Sequence, residues 1–162
     1  MRQPVTYINR TKHLYDSLGY KPYTWFEAQT APAFSRPKRP LKDSRLGLIS
    51  SAGAYVAGQV AYHYKDDTSI RPIASDTPLD QIRFSHITEN YLVEAREDPQ
   101  CVLPLRVLEK LRDEGLVGDL AKNYFSCMGG IYSQRRVREE LIPSLDEAIN
   151  KEEIDLLLLI PL

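Results

Sequence analysis

A chain of 162 residues, 43% hydrophobic and 27% charged, has the composition of an ordinary soluble domain and the length to bury a real core. Its formal net charge of -1 creates no global field that would favour nucleic acid or an anionic membrane. The opening MRQPVTYINR has no secretory h-region, the longest apolar run (Leu156 to Leu162) is far short of the roughly 20 residues of a bilayer span, and two cysteines make no disulfide framework, so a reducing cytoplasm is the default compartment.

Residues 1–43 are rich in Tyr, Pro and basic side chains and read as an arm outside the main domain. Within it, residues 10–18 fit a short helix with Leu14 and Leu18 on one face and Gly19 just past its end. The Pro-rich stretch 31–40 fits neither a central helix nor a central strand. Residues 44–162 read as an α/β domain. RLGLISSAGAYV predicts a buried strand near 46–50 running into a small-residue turn. Further strands are predicted near 70–74 and 83–87. LPLRVLEKLRDEGLVGDL predicts a helix over about 104–114, with Pro104 in its first turn, a stripe of Leu105, Leu108 and Leu111, and Gly115 at its end. A strand near 122–127 follows. A helical stretch over 134–150 has Ser133 as N-cap and the face Val137, Leu141, Leu145 and Ile149; Pro143 should kink or split it. The run Leu156–Ile160 reads as a strand buried on both faces. Strands alternating with helices predict an α/β fold: a mostly parallel open sheet with flanking helices.

Three segments could carry chemistry. At Ser50-Ser51-Ala52-Gly53, exposed amides beside a helix start could hold a carboxylate or phosphate; a tight turn that excludes side chains is the plainer reading. In Phe125-Ser126-Cys127-Met128-Gly129-Gly130, the glycines allow close backbone approach. Cys127 is there either a nucleophile or a small buried hydrophobe. His86, followed by Glu89, is either a proton-exchanging group or a hydrogen-bonded structural histidine. Cys101 sits in an apolar run and is expected in the core. No H-x-x-x-H or C-x-x-C spacing predicts a zinc site, and neither common nucleotide-binding glycine motif occurs.

The stretches YINRTKHLYDSLGY, SRLGLISSAGAY, IASDTPLDQIRFSH, LPLRVLEKLRDEGLVG, YFSCMGGI and IDLLLLIPL, in this order, resemble the N-terminal part of the selenoprotein B subunit family of glycine, sarcosine, betaine and D-proline reductases. YFSCMGG departs from the family, which has an aromatic residue where Cys127 stands. The resemblance implies reductive C–N bond cleavage of an amine or amino acid, with electrons from a thioredoxin-type donor. It implies that the last strand leads into a redox motif, a selenocysteine or cysteine followed two residues later by cysteine, beginning immediately after Leu162. No cofactor is expected within residues 1–162. On this reading the three segments above would line the site, with Ser51, Gly53, Gly129 and Gly130 for substrate and His86 and Cys127 as catalytic candidates. Expected partners are other reductase subunits, one of which carries a pyruvoyl group in the glycine and proline systems, in a homo- or hetero-oligomer. Two other readings stand beside this one: a non-catalytic binding or assembly subunit, and a hydrolase or racemase-like enzyme that uses Cys127.

Overall fold

The structure is a computed structural model and describes residues 5–21, 26–33 and 35–162. The chain divides into two compact units, Met1–Phe34 and Ser35–Leu162. In the first, helix α1 (Tyr7–Ser17) starts one turn earlier than the periodicity predicts and buries none of its residues. Gly19, at φ +77°, stands just past its end, the left-handed position that glycine favours. The rest of the expected arm falls partly on residues 1–4, 22–25 and 34, outside the described residues.

The second unit runs β1 (Arg45–Ser50), β2 (Ala54–Val56), β3 (Arg71–Ala74), β4 (Ile82–Phe84), α2 (Val93–Glu97), α3 (Leu105–Asp113), β5 (Asp119–Leu120), β6 (Asn123–Ser126), α4 (Gln134–Arg136), α5 (Ile142–Lys151) and β7 (Leu156–Ile160). β1 is central. On one side it pairs in parallel with β7, from Leu46 opposite Leu156 to Ser50 opposite Ile160. On the other side it pairs in parallel first with β5 (Leu46 opposite Leu120) and then with β6 (Ile49 opposite Phe125). The register slips by two residues at Ala121–Lys122, so β5 and β6 form one strand line with a bulge. The Glu152 carboxylate accepts Lys122 N–H at 2.9 Å and Asn123 Nδ2–H at 2.7 Å, which ties this bulge to the end of α5. β3 lies antiparallel to β6 at the far edge, so the sheet is mixed but mostly parallel, an α/β arrangement as predicted.

Successive strand residues face opposite sides. Leu48 and Tyr124 therefore join a core with Ile73, Leu103, Leu105 and Leu108, covered by α3. Ile49 and Phe125 join Cys127 and Leu141 on the other side, where Leu145 and Ile149 of α5 pack. The stretch that Pro143 is predicted to kink or split is divided into α4 and α5, with Pro143 in the first turn of α5. A π-helical turn, Val137–Leu141, precedes it. Proline has no N–H to complete the α-ladder, and a wider turn absorbs that loss.

Two expectations need correction. The strand near 83–87 is shorter and leaves the main sheet: β4 pairs antiparallel with β2, a strand that the sequence pattern did not flag. Leu156–Ile160 is a strand but is not buried on both faces. Its ladder partner is β1, no described strand lies on its other edge, and Leu158 and Leu159 are 37% and 63% exposed.

Candidate functional site

Parallel strands end on one side of a sheet, and ligands in open α/β sheets sit outside those carboxyl ends. Here β1 ends in the turn Ser51–Gly53, β6 in Cys127–Gly130, and β7 in Pro161–Leu162. They are stitched together. Leu162 N–H donates to Ser51 Oγ at 2.9 Å, and Ser51 N–H donates to the Ile160 carbonyl at 3.0 Å. Gly53 N–H donates to the Cys127 carbonyl, and Ser85 N–H to the Gly53 carbonyl, both at 3.0 Å. Ala52 and Met128 form an antiparallel bridge. The structure thus brings Ser51, Gly53, His86, Cys127, Gly129 and Gly130 to one rim.

Two of the glycines are demanded by this crossing. Gly53 adopts φ +63°, and a Cβ there would stand 2.2 Å from the Ser85 carbonyl oxygen. A Cβ on Gly129 would lie 2.8 Å from the Leu162 oxygen, 2.9 Å from the Ser51 carbonyl oxygen and 3.0 Å from His86 Nε2. Gly129 is exposed and Gly53 is buried.

The anion-cradle reading of Ser51–Gly53 fails on two counts. The chain enters β2, not a helix. The amides of Ser51, Gly53 and Ala54 donate to the Ile160 carbonyl, the Cys127 carbonyl and Ser126 Oγ, and that of Ala52 to Ser50 Oγ. Amides taken up this way have no hydrogen left for a ligand.

His86 is 4% exposed. Thr88 N–H approaches its Nδ1 at 3.1 Å, with Thr88 Oγ1 at 2.6 Å, and Gly129 N–H approaches Nε2 at 3.2 Å. Burial holds its pKa below the ordinary 6.5, against the opposing pull of the Glu89 carboxylate and the Ser51 backbone. The ring is therefore neutral at pH 7. Glu89 in turn is paired with Arg96 and accepts the His86 backbone N–H at 3.3 Å.

Cys127 is 5% exposed among Ile49, Phe125 and Leu141, and burial pushes its thiol up to about 11. Its surroundings are those of the small buried hydrophobe and favour no thiolate. Cys101, expected in the core, is exposed at the end of the 3-10 turn Pro99–Cys101. Sequence reading missed Tyr62, whose hydroxyl donates to the Ser126 carbonyl at 2.6 Å beneath the rim, with the Arg71 guanidinium 4.4 Å above its ring. Burial raises the Tyr62 pKa, so the hydroxyl stays protonated. No local motif marks Tyr62, because its partner lies 64 positions away.

A cavity of about 630 Å³ lies not at this rim but at the amino end of β1, lined by Arg39, Lys42, Arg45, Asp119, Glu153 and Asp155. Its ions pair with one another, Arg45 with Asp119 at 3.1 Å and Arg39 with Asp155 at 3.7 Å, which leaves little net field for a charged ligand. Among the described residues no His, Cys, Asp and Glu group could hold a metal ion, and no helix is long and apolar enough to cross a membrane.

The fold and rim define an α/β chain whose parallel strands converge on tightly crossed turns. Against curated proteins, the chain is similar to the D-proline reductase subunit gamma of Acetoanaerobium sticklandii, with 26% identity over 128 residues, 79% of this chain and 52% of that protein. The chain spans about half the length of this curated relative. The relative is named a gamma subunit, so the similarity does not carry the B-subunit assignment. No family model matches the chain, and no solved structure does.

Proposed function

We propose that this chain is a reductase subunit, or part of one, related to the D-proline reductase gamma subunit, and that its work is reductive cleavage of a C–N bond in an amine or amino acid. The observation that carries this reading is the similarity along 128 residues. The substrate class, a dithiol donor of the thioredoxin type, a place among glycine, sarcosine or betaine reductase B subunits, and association with other reductase subunits all belong to the proposal.

A selenocysteine or cysteine immediately after Leu162 would supply the nucleophilic and redox chemistry. The rim fits such a residue. Ser51 Oγ holds the Leu162 amide, and the Leu162 oxygen lies against Gly129, so a following residue would begin beside Gly129 and His86. In this reading Ser51 orients the end of β7. Gly129, being exposed, offers backbone to a substrate, and Gly130 shapes the same turn. Gly53, being buried, serves the frame instead. His86 at neutral pH is an uncharged ring that holds the turn.

A second reading, an assembly subunit without chemistry of its own, is favoured by the internally satisfied amides of Ser51–Ala54. The test begins with the coding sequence beyond codon 162: an in-frame UGA with a cysteine codon two positions later fits the reductase reading. The chain, and a read-through form with cysteine at that codon, are then co-expressed with the reductase's other subunits and assayed for D-proline reduction with a dithiol. Activity in the extended form alone is expected. Full activity of residues 1–162 would refute the placement of the nucleophile, and inactivity of both would favour the assembly reading.

A further inference from the structure

His86 stands where three segments meet: the turn Ser51–Gly53, the turn Cys127–Gly130, and its own loop ahead of Glu89. Gly53 would place a Cβ 3.5 Å from His86 Cβ, Gly129 one 3.0 Å from Nε2, and Gly130 one 3.9 Å from Cε1. The ring is thus enclosed by backbone, with only 4% of the residue exposed.

The polar surroundings of the ring are unusual. A backbone N–H approaches each of its two nitrogens, Thr88 N–H at Nδ1 (3.1 Å) and Gly129 N–H at Nε2 (3.2 Å). A neutral imidazole has one acceptor nitrogen, so either tautomer can accept one of these amides, and the other nitrogen's hydrogen then has Thr88 Oγ1 or the Ser51 backbone as its outlet. The imidazolium has no acceptor at all. Even with its N–H groups turned to Thr88 Oγ1 and the Ser51 backbone, it would leave both the Thr88 and the Gly129 amide without an acceptor at the ring, inside an enclosed site where an unpaired polar group is costly.

We infer that His86 is a protonation-controlled latch: the neutral ring holds the turn Cys127–Gly130 closed on the turn after β1, and protonation releases it. The charged and titratable groups around the ring set the balance. From the loop that follows, the exposed Glu89 carboxylate favours the cation, but Arg96 is paired with it. From the turn after β6, Cys127 is a neutral buried thiol. The turn Ser51–Gly53 brings no ionisable side chain. From the β7 end, the Leu162 backbone oxygen lies against Gly129, and Pro161 and Leu162 bring no ionisable side chain. Burial outweighs these, and the folded pKa falls below 6.5. A group so depressed contributes its full stabilisation above about pH 6.5 and loses it as pH falls from there through the folded pKa. The opened turn therefore binds the proton more tightly than the closed one, and acid favours opening.

The latch does not depend on the reductase reading, and its test needs no activity. The full chain is followed by NMR for the His86 ring titration and by amide exchange, corrected for intrinsic rate, from pH 7.5 to 4.5. We expect His86 to titrate below 6.5, with opening at the Gly129 amide rising by up to about tenfold per pH unit inside the window. Amides in the middle of β1, such as Leu48, should hold their protection. His86→Gln, with a side chain that does not titrate, should abolish the pH dependence whether its turn is open or closed. Should that variant fail to fold, the wild-type measurements decide. A His86 midpoint at or above 6.5, or a Gly129 amide equally protected at both ends of the range, would overturn the latch.

Discussion

The backbone N–H of Leu162 donates to Ser51 Oγ at 2.9 Å, across 111 positions of sequence. With Ser51 N–H donating to the Ile160 carbonyl, it extends the β1–β7 pairing one step past the strands. Ser51→Ala removes the acceptor and leaves the Leu162 amide unpaired at a half-buried position. A loss of about 0.5–1.5 kcal/mol is expected in urea unfolding, with faster amide exchange at Leu162. Unchanged exchange there would show that the bond contributes nothing.

The crossing turns make glycine substitutions unequal. Gly129→Ala drives a Cβ toward two backbone oxygens and a ring nitrogen, and Gly53→Ala adds a strained positive φ to a 2.2 Å backbone clash. Gly130→Ala meets the side-chain Cγ2 of Ile87 at 2.1 Å, a contact with a half-buried side chain rather than with backbone, and Gly130 has no positive φ to strain. The expected order of destabilisation is Gly53→Ala, then Gly129→Ala, then Gly130→Ala, with the first two costing about 1–3 kcal/mol or more. Denaturant midpoints measured side by side give the order.

The cysteines should separate cleanly by accessibility. Cys101 is exposed; Cys127 is buried with its thiol raised to about 11. A maleimide at pH 7.5 should label Cys101 in the native protein and both thiols in denaturant. Native labelling of Cys127 at a comparable rate would contradict its burial and revive it as a nucleophile.

Acid stability should carry the mark of Glu140. Hydrogen bonds from Arg136, and then from Thr68 at 2.6 Å, hold its pKa down to about 2 from 4.5. A carboxyl so depressed contributes stability that is complete above about pH 4.5 and lost as pH falls toward 2. Glu140→Gln keeps an oxygen for Thr68 but removes the titration. The slope of Tm against pH between 4.5 and 2 should therefore be shallower in the variant, and equal slopes would be the contrary result.

The outer edge of β7, opposite its pairing with β1, has no described strand beside it, and Leu159 on that apolar strand is 63% exposed. Such edges invite association, and a lysine blunts them. The chain should self-associate with rising concentration in sedimentation velocity, and Leu159→Lys should reduce this while shifting Tm little. A wild-type chain monomeric at high concentration would count against it.

Residue pattern alone determined most of the elements. The apolar runs of β1, β6 and β7 and the Leu105-Leu108-Leu111 stripe of α3 report local burial, and local burial follows the period of side chains about a strand or helix. The glycines of the rim were legible as points of close backbone approach. Tertiary structure alone decided who the neighbours are. Leu156–Ile160 reads the same whether a strand lies on one side of it or on both, because an apolar run does not encode its number of ladder partners. Ile82–Phe84 went to β2 rather than to the main sheet, through pairing with a separate segment, and Cys101, at the end of a 3-10 turn, lies at the surface. The amides of Ser51 and Gly53 looked available because their acceptors, at Ile160 and Cys127, are more than seventy positions away in sequence and arrive only when the parallel strands close on one rim.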